Sequence, residues 1–167
     1  KVESEWNGKK KLITANWDKQ TELVNYNVIP PLDTKKFHKI KKNTLKGTSG
    51  PLSSILNLIN QIELKNSCEN FFFIFDGIRR YDLKIVDLGS ENIKKNNNNV
   101  FHGKAVVCGL KFYPIGGHRL KSNWKPEKDK FTDIKLYFGL LENELYFPVK
   151  LSLKRWFGTV EINLIQQ

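Results

Sequence analysis

Several things are missing from this sequence, and each absence closes a class of function. There is no methionine, so Lys1 is not a translational start. The expectation is that a segment ahead of it has been removed or is absent from this sequence, a secretory signal being one candidate. No apolar stretch approaches the ~18 residues that a membrane-spanning helix needs. Arginine occurs only at Arg79, Arg80, Arg119 and Arg155, so the net charge of +11 is carried mostly by lysine. No recognised nucleic-acid-binding motif accompanies that charge, which argues against nucleic acid as a partner. There is no Gly-x-Ser-x-Gly elbow and no phosphate-binding glycine loop. The three histidines stand in no His/Cys/Asp/Glu spacing that would hold a metal. Neither a metal nor a cofactor is expected. Cysteine is limited to Cys68 and Cys108, outside any Cys-x-x-Cys arrangement, so a redox or zinc role has little support. In an exported protein such a pair would be a disulfide, and in a cytosolic one two buried thiols.

What is present is a strand-rich pattern. At 167 residues the chain reads as a single domain, 1–167, large enough to bury a core without metals. Its organising stretch is Phe71 to Ile85, a phenylalanine run that stops at Asp76-Gly77 and resumes as alternating Tyr81, Leu83 and Ile85. Asp-Gly between β-prone arms is a strong hairpin signal. Because Phe71 to Phe75 has no polar residue, it is expected to be covered on both faces as a central strand. Earlier in the chain, Lys11 to Trp17 and Thr21 to Val28 read as a hairpin that ends before Pro30-Pro31. One helix is predicted from about Pro51 to Ile62. Pro51 stands at its first position, Ser49 or Gly50 is the cap, and the stripe is Leu52, Ile55, Leu56 and Ile59, widened by Leu58 and Ile62. Gly89 to Asn99 reads as a polar connection and Ala105 to Tyr113 as a buried strand. Gly116-Gly117 marks a close backbone approach that a side chain would forbid. Lys121 to Lys130 reads as a charged loop. Strands at Asp133 to Leu140, Leu145 to Leu153 and Gly158 to Ile165 close the chain. The fold class is mainly β (α+β), antiparallel, with one packed helix near residues 51–62.

Several separated motifs carry a resemblance. They are Gly50-Pro51-Leu52-Ser53-Ser54-Ile55-Leu56, Phe75-Asp76-Gly77-Ile78-Arg79-Arg80-Tyr81-Asp82-Leu83, Tyr113-Pro114-Ile115-Gly116-Gly117-His118-Arg119, and Pro148-Val149 with Phe157-Gly158-Thr159-Val160. Taken in this order and spacing, they resemble a bacterial family of exported proteins known as domain of unknown function 3108. The resemblance implies a curled or spiral sheet, an incomplete half-barrel or β-roll, around the helix. It also implies a disulfide between Cys68 and Cys108, which would stabilise the fold by ~4 kcal/mol on the chain-entropy model. Family members generally carry further strands before the point equivalent to Trp6, which implies that N-terminal strands are missing here. The implied location is the periplasm or cell envelope, and no reaction is implied.

Candidate functional residues follow from both readings. Asp76, Arg79, Arg80 and Asp82 form the densest charged cluster. An arginine pair there could clamp a carboxylate or phosphate, or simply hold the turn. His118, beside Arg119, is the histidine best placed for acid–base work, with Asp76 or Asp82 as partner. Phe73 and Phe75 belong to an aromatic stock that could line an apolar surface. The expected function is non-catalytic binding of a hydrophobic, acyl or lipid-like ligand or of an envelope protein, through Phe73, Phe75, Arg79, Arg80, His118 and Arg119. A hydrolase or transferase using His118 is the alternative from a different class, and a purely structural envelope partner is a third. The segment Lys35–Lys42, with Phe37 and Ile40 interleaved, is the feature most like a contact for an anionic membrane surface. Lysine enriched together with asparagine, as in Lys94 to Asn99, also fits coding bias.

Overall fold

The computed structural model describes residues 2–6, 9–95, 101–121, 134–142 and 144–164. Three strands come first: β1 (Val2–Trp6), β2 (Lys9–Trp17) and β3 (Val24–Ile29). A short 3-10 turn, Lys42–Leu45, precedes the helix α1 (Pro51–Lys65). Then follow β4 (Asn70–Phe75), β5 (Arg80–Ile93), β6 (Gly103–Gly116), β7 (Ile134–Leu140), β8 (Tyr146–Arg155) and β9 (Gly158–Asn163). The strands form a three-stranded sheet, β1-β2-β3, and a six-stranded sheet in the order β4-β5-β6-β7-β8-β9. Neighbours lie side by side in sequence order, as short connections favour. The mainly β expectation with one packed helix holds. Strand β1 and the extension of β5 through Gly89 to Ile93, read as a connection from the sequence, add to it. The expected loop over 122–130 lies outside the described residues, as does Asp133.

By compactness the chain divides into two units. One comprises Lys1–Ser54, Phe72–Leu83 and Tyr113–Glu127, the other Ile55–Phe71, Lys84–Phe112 and Lys128–Gln167. In the first, β2 and β3 pair from Leu12↔Ile29 to Trp17↔Val24. Asp18 closes their turn, its amide donating to the Leu23 carbonyl at 2.9 Å. The first unit buries Phe75 completely, with Ile74 and Leu45 nearly so. The Tyr26 ring meets Phe75 edge-on at 4.9 Å.

Strand β4 corrects one expectation: it is an edge strand, not a central one. Its side chains alternate, Phe72 and Ile74 being buried while Phe71 is 46% and Phe73 48% exposed. A run of five apolar residues satisfies a one-sided strand as readily as a two-sided one. The outer edge of β4 is nevertheless not bare. Ser49 forms a parallel bridge to Ile74, donating to the Phe73 carbonyl at 2.9 Å and accepting from the Phe75 amide at 3.0 Å.

The helix begins where its sequence places it. The Ser54 amide donates to the Gly50 carbonyl at 3.1 Å, the first helical bond, which puts Gly50 at the cap and Pro51 at the first position. Its buried row differs from the predicted stripe. Ser54, Leu58 and Ile62, four residues apart, are buried, whereas Leu52 and Leu56 point outward at 77% and 62% exposure. Two leucine rows share the same spacing, and only tertiary packing chooses between them.

In the second unit Leu58, Ile62, Ile85, Val107 and Phe138 are almost wholly buried. Cys68 and Cys108 are joined by a disulfide with Cα atoms 6.1 Å apart, both side chains fully buried. This is the pairing that the resemblance implied. A second cluster forms from Phe101, Ala105, Val107, Tyr137 and Val149.

Candidate functional site

Two places in the molecule gather the residues that could carry function. The first lies in the first unit, where the backbone segments 36–40, 76–79 and 116–120 come together. Asp76 organises the hairpin turn through its own side chain. Its Oδ1 accepts from the amides of Ile78 (2.9 Å) and Arg79 (2.6 Å), and its Oδ2 accepts from Arg79 Nε at 2.8 Å. Against that turn lies the glycine pair. A Cβ on Gly117 would sit 1.9 Å from the Ile78 carbonyl oxygen, and its φ of +75° is itself glycine-like. A Cβ on Gly116 would be 3.1 Å from the Lys39 carbonyl. The close approach expected from the sequence is thus a crossing of three backbones.

The basic segment is stitched to the same crossing. His38 donates its amide to the His118 carbonyl at 2.8 Å, and Leu120 donates to the Lys36 carbonyl at 2.9 Å. These bonds flank an antiparallel bridge, Phe37↔Arg119, which places the Arg119 guanidinium 6.0 Å from the centre of the Phe37 ring.

The charged side chains here are largely engaged in holding the fold. Arg80 is buried, donates from Nε to the Thr44 carbonyl at 2.7 Å, forms a tight pair with Asp82, and lies 5.5 Å from the Phe73 ring centre. Arg79 is more than half exposed and pairs with Asp76. His118 hydrogen-bonds the Arg80 backbone carbonyl rather than a carboxylate. Its Nε2 is buried without a partner among the described residues. Burial pushes the His118 imidazole below its ordinary value; the Arg80 carbonyl opposes this, the Arg79 charge adds to it, and Asp76 also opposes it. His118 is therefore neutral at pH 7. Both oxygens of Asp76 and the paired oxygen of Asp82 are committed to the turn and to Arg80, so the geometry does not assemble an acid–base pair around the histidine. Of the other sequence candidates, Phe73 is half exposed and Phe75 is core. Among the described residues no group of three or more His, Cys, Asp or Glu side chains could hold a metal ion.

The second place lies in the second unit and was not identified from sequence. Antiparallel pairing sets Ile134 opposite Leu153 and Leu136 opposite Leu151. It then sets Leu153 opposite Val160 and Leu151 opposite Ile162. Directly opposed residues share a face. The six residues therefore make two aliphatic rows across β7, β8 and β9, the second continuing inward to Cys108 on β6. Exposure rises outward along that row, from buried Cys108 through half-buried Leu136 and Leu151 to Ile162 at 57%. Val160 ends the other row at 42%. The reverse face carries a polar row, Lys135, Ser152 and Glu161, with Lys150 paired to Glu161 at 2.6 Å, beside the buried cluster of Val107 and Tyr137. Tyr137 lies on that face, 5.1 Å from Lys150 Nζ, and its hydroxyl is pushed up to about 12 by burial and by the nearby Glu91. The alternation of Ile134, Leu136 and Phe138, and of Leu151 and Leu153, was visible in the sequence. What could not be seen was the register that lines the strands up.

At the tip of the β8–β9 hairpin, Trp156 is 96% and Phe157 64% exposed, their rings edge-to-face at 5.4 Å. No helix among the described residues is long and apolar enough to cross a membrane.

No curated protein and no solved structure matches the chain. A family does match, over residues 2–165, under the description "Protein of unknown function (DUF3108)". With that match spanning nearly every residue, from β1 to the end of β9, the chain belongs to the DUF3108 family.

Proposed function

We propose that the protein acts without catalysis in the bacterial periplasm or envelope, binding a hydrophobic ligand of acyl-chain character on the aliphatic face of β7, β8 and β9. The observation that carries this reading is the pair of rows Ile134–Leu153–Val160 and Leu136–Leu151–Ile162. Their outer ends, Val160 and Ile162, stay exposed, while the opposite face at β8 and β9 carries Ser152, Glu161 and Lys150. A solvent-facing sheet surface of this kind is ordinarily polar, and contiguous exposed aliphatics mark a place where something apolar binds. The engagement of Asp76, Arg80 and Asp82 in structural bonds favours a binder over the hydrolase or transferase built on His118.

The test is native mass spectrometry of the full-length protein purified from its own envelope, followed by organic extraction and lipid analysis. A lipid bound in stoichiometric amount is expected. Ile162→Asp, which sets a carboxylate on the rim of the face at an exposed edge-strand position, should lower its occupancy at least tenfold while circular dichroism stays unchanged. Lipid that survives Ile162→Asp, or a wild-type protein that carries none, overturns the reading. A protein partner is the second reading, favoured by the exposed Trp156 and Phe157 at the hairpin tip, since aromatic anchors of this size are typical of interface centres. A copurifying polypeptide in place of lipid would select it.

A further inference from the structure

The bridge between Phe37 and Arg119 joins two stretches that are separate in sequence into one basic surface. No acidic residue occurs from 34 to 46 or from 113 to 121. Within the first of these stretches Lys35, Lys36, Lys39, Lys41 and Lys42 are all exposed, and within the second Arg119 and Lys121 are exposed. The hydrogen bonds from His38 to the His118 carbonyl and from Leu120 to the Lys36 carbonyl hold the two stretches side by side. Lys36 is paired with Asp33 at 3.1 Å, which mutes one charge at the margin of the patch. Apolar side chains stand among the cations: Ile115 is 44% and Leu120 47% exposed, on either side of Arg119. The surface is also firmly built, because Gly116 and Gly117 pin the second stretch against segments 39–40 and 78–79.

We propose that this surface docks on an anionic lipid bilayer. Cations drawn to headgroup phosphates, with a few aliphatic side chains able to enter the acyl boundary, are the two ingredients of reversible interfacial binding. A double helix of DNA would satisfy the charge but offers nothing to Ile115 and Leu120. An acidic protein surface would not call for exposed aliphatics flanking an arginine in the same way. The proposal does not depend on the aliphatic face of β7 to β9 holding a ligand, since the two surfaces share no residue.

The test is co-sedimentation of the full chain with vesicles of phosphatidylglycerol and phosphatidylethanolamine, with pure phosphatidylcholine vesicles in parallel. Binding to the anionic vesicles is expected, falling steeply as salt rises. Each basic residue near a charged bilayer is worth about fivefold in partition at low salt, so Lys39→Gln with Arg119→Gln should weaken binding about 25-fold. The charge-matched control Lys19→Gln with Lys104→Gln, at exposed positions outside the two stretches, should stay within about twofold. Leu120→Ala should lower the binding that persists at high salt. Circular dichroism checks that each variant is folded. Absence of binding to the anionic vesicles, equal loss in patch and control variants, or tighter binding to duplex DNA than to vesicles at matched salt would each overturn the proposal.

Discussion

Replacing Gly117 by alanine tests the backbone crossing on which the first site depends. Two costs are separable. The first is conformational, because a φ of +75° is strained for any L side chain, at about 1 kcal/mol. The second is steric: the new methyl would stand 1.9 Å from the Ile78 carbonyl oxygen and 2.9 Å from the Arg79 Cα. Those are backbone atoms in a turn clamped by Asp76, so no side-chain rotation relieves them. Overpacking of that kind costs about 1–3 kcal/mol, giving a total of roughly 2–4 kcal/mol. Gly47 supplies the matched control: its φ is +71°, and an added Cβ meets nothing within 4 Å. Gly47→Ala should therefore show the conformational cost alone, about 1 kcal/mol. Urea titrations of both variants, followed by tryptophan fluorescence and circular dichroism, read the difference directly. If Gly117→Ala costs no more than Gly47→Ala, the three segments do not cross as described, and the reasoning fails.

Further outcomes follow from the same site. Arg80→Ala should destabilise the protein by about 3–5 kcal/mol, because it strands the part-buried Asp82 carboxylate and the Thr44 carbonyl. Arg79→Ala, which removes an exposed partner of Asp76, should cost under about 1 kcal/mol in the same urea titration, and equal losses for the two would contradict the assignment of Arg80 as the structural member. For His118, whose imidazole lies below its ordinary value in the folded state, the neutral form is the stable one. Its contribution is present above about pH 6.5 and is lost as pH falls through the folded value, so His118→Gln should flatten the acid limb of the stability curve, and an imidazole proton resonance titrating above 6.5 would refute the sign.

The sequence carried some of this and withheld the rest for identifiable reasons. Gly116-Gly117 was legible as a close approach because only a missing side chain permits one, although its partners, Ile78 and Lys39, are distant in the chain. The Asp76-Gly77 turn was legible because its bonds are local. Phe71 to Phe75 misled because local apolarity reports burial but not strand order, and order made β4 an edge. Leu52 and Leu56 misled because two rows on one helix satisfy the same spacing. The aliphatic face stayed hidden for a related reason: each strand shows its own alternation, but which residues meet across β7, β8 and β9 is set by turns and by a bulge between Tyr137 and Phe138.

The Ser49 bracket on β4 has a consequence for assembly. Sheets grow from copy to copy only when each copy offers two open edges, as a monomer must be bifunctional to form a polymer. Here the Phe73 carbonyl and the Phe75 amide are taken by Ser49, and the Phe71 amide donates to the Asn70 side-chain oxygen at 2.7 Å. That leaves β9 as the end of the six-stranded sheet at which a strand could add. A sheet with one reactive end terminates its own growth, so association through the six-stranded sheet alone stops at a pair instead of running on into a fibre.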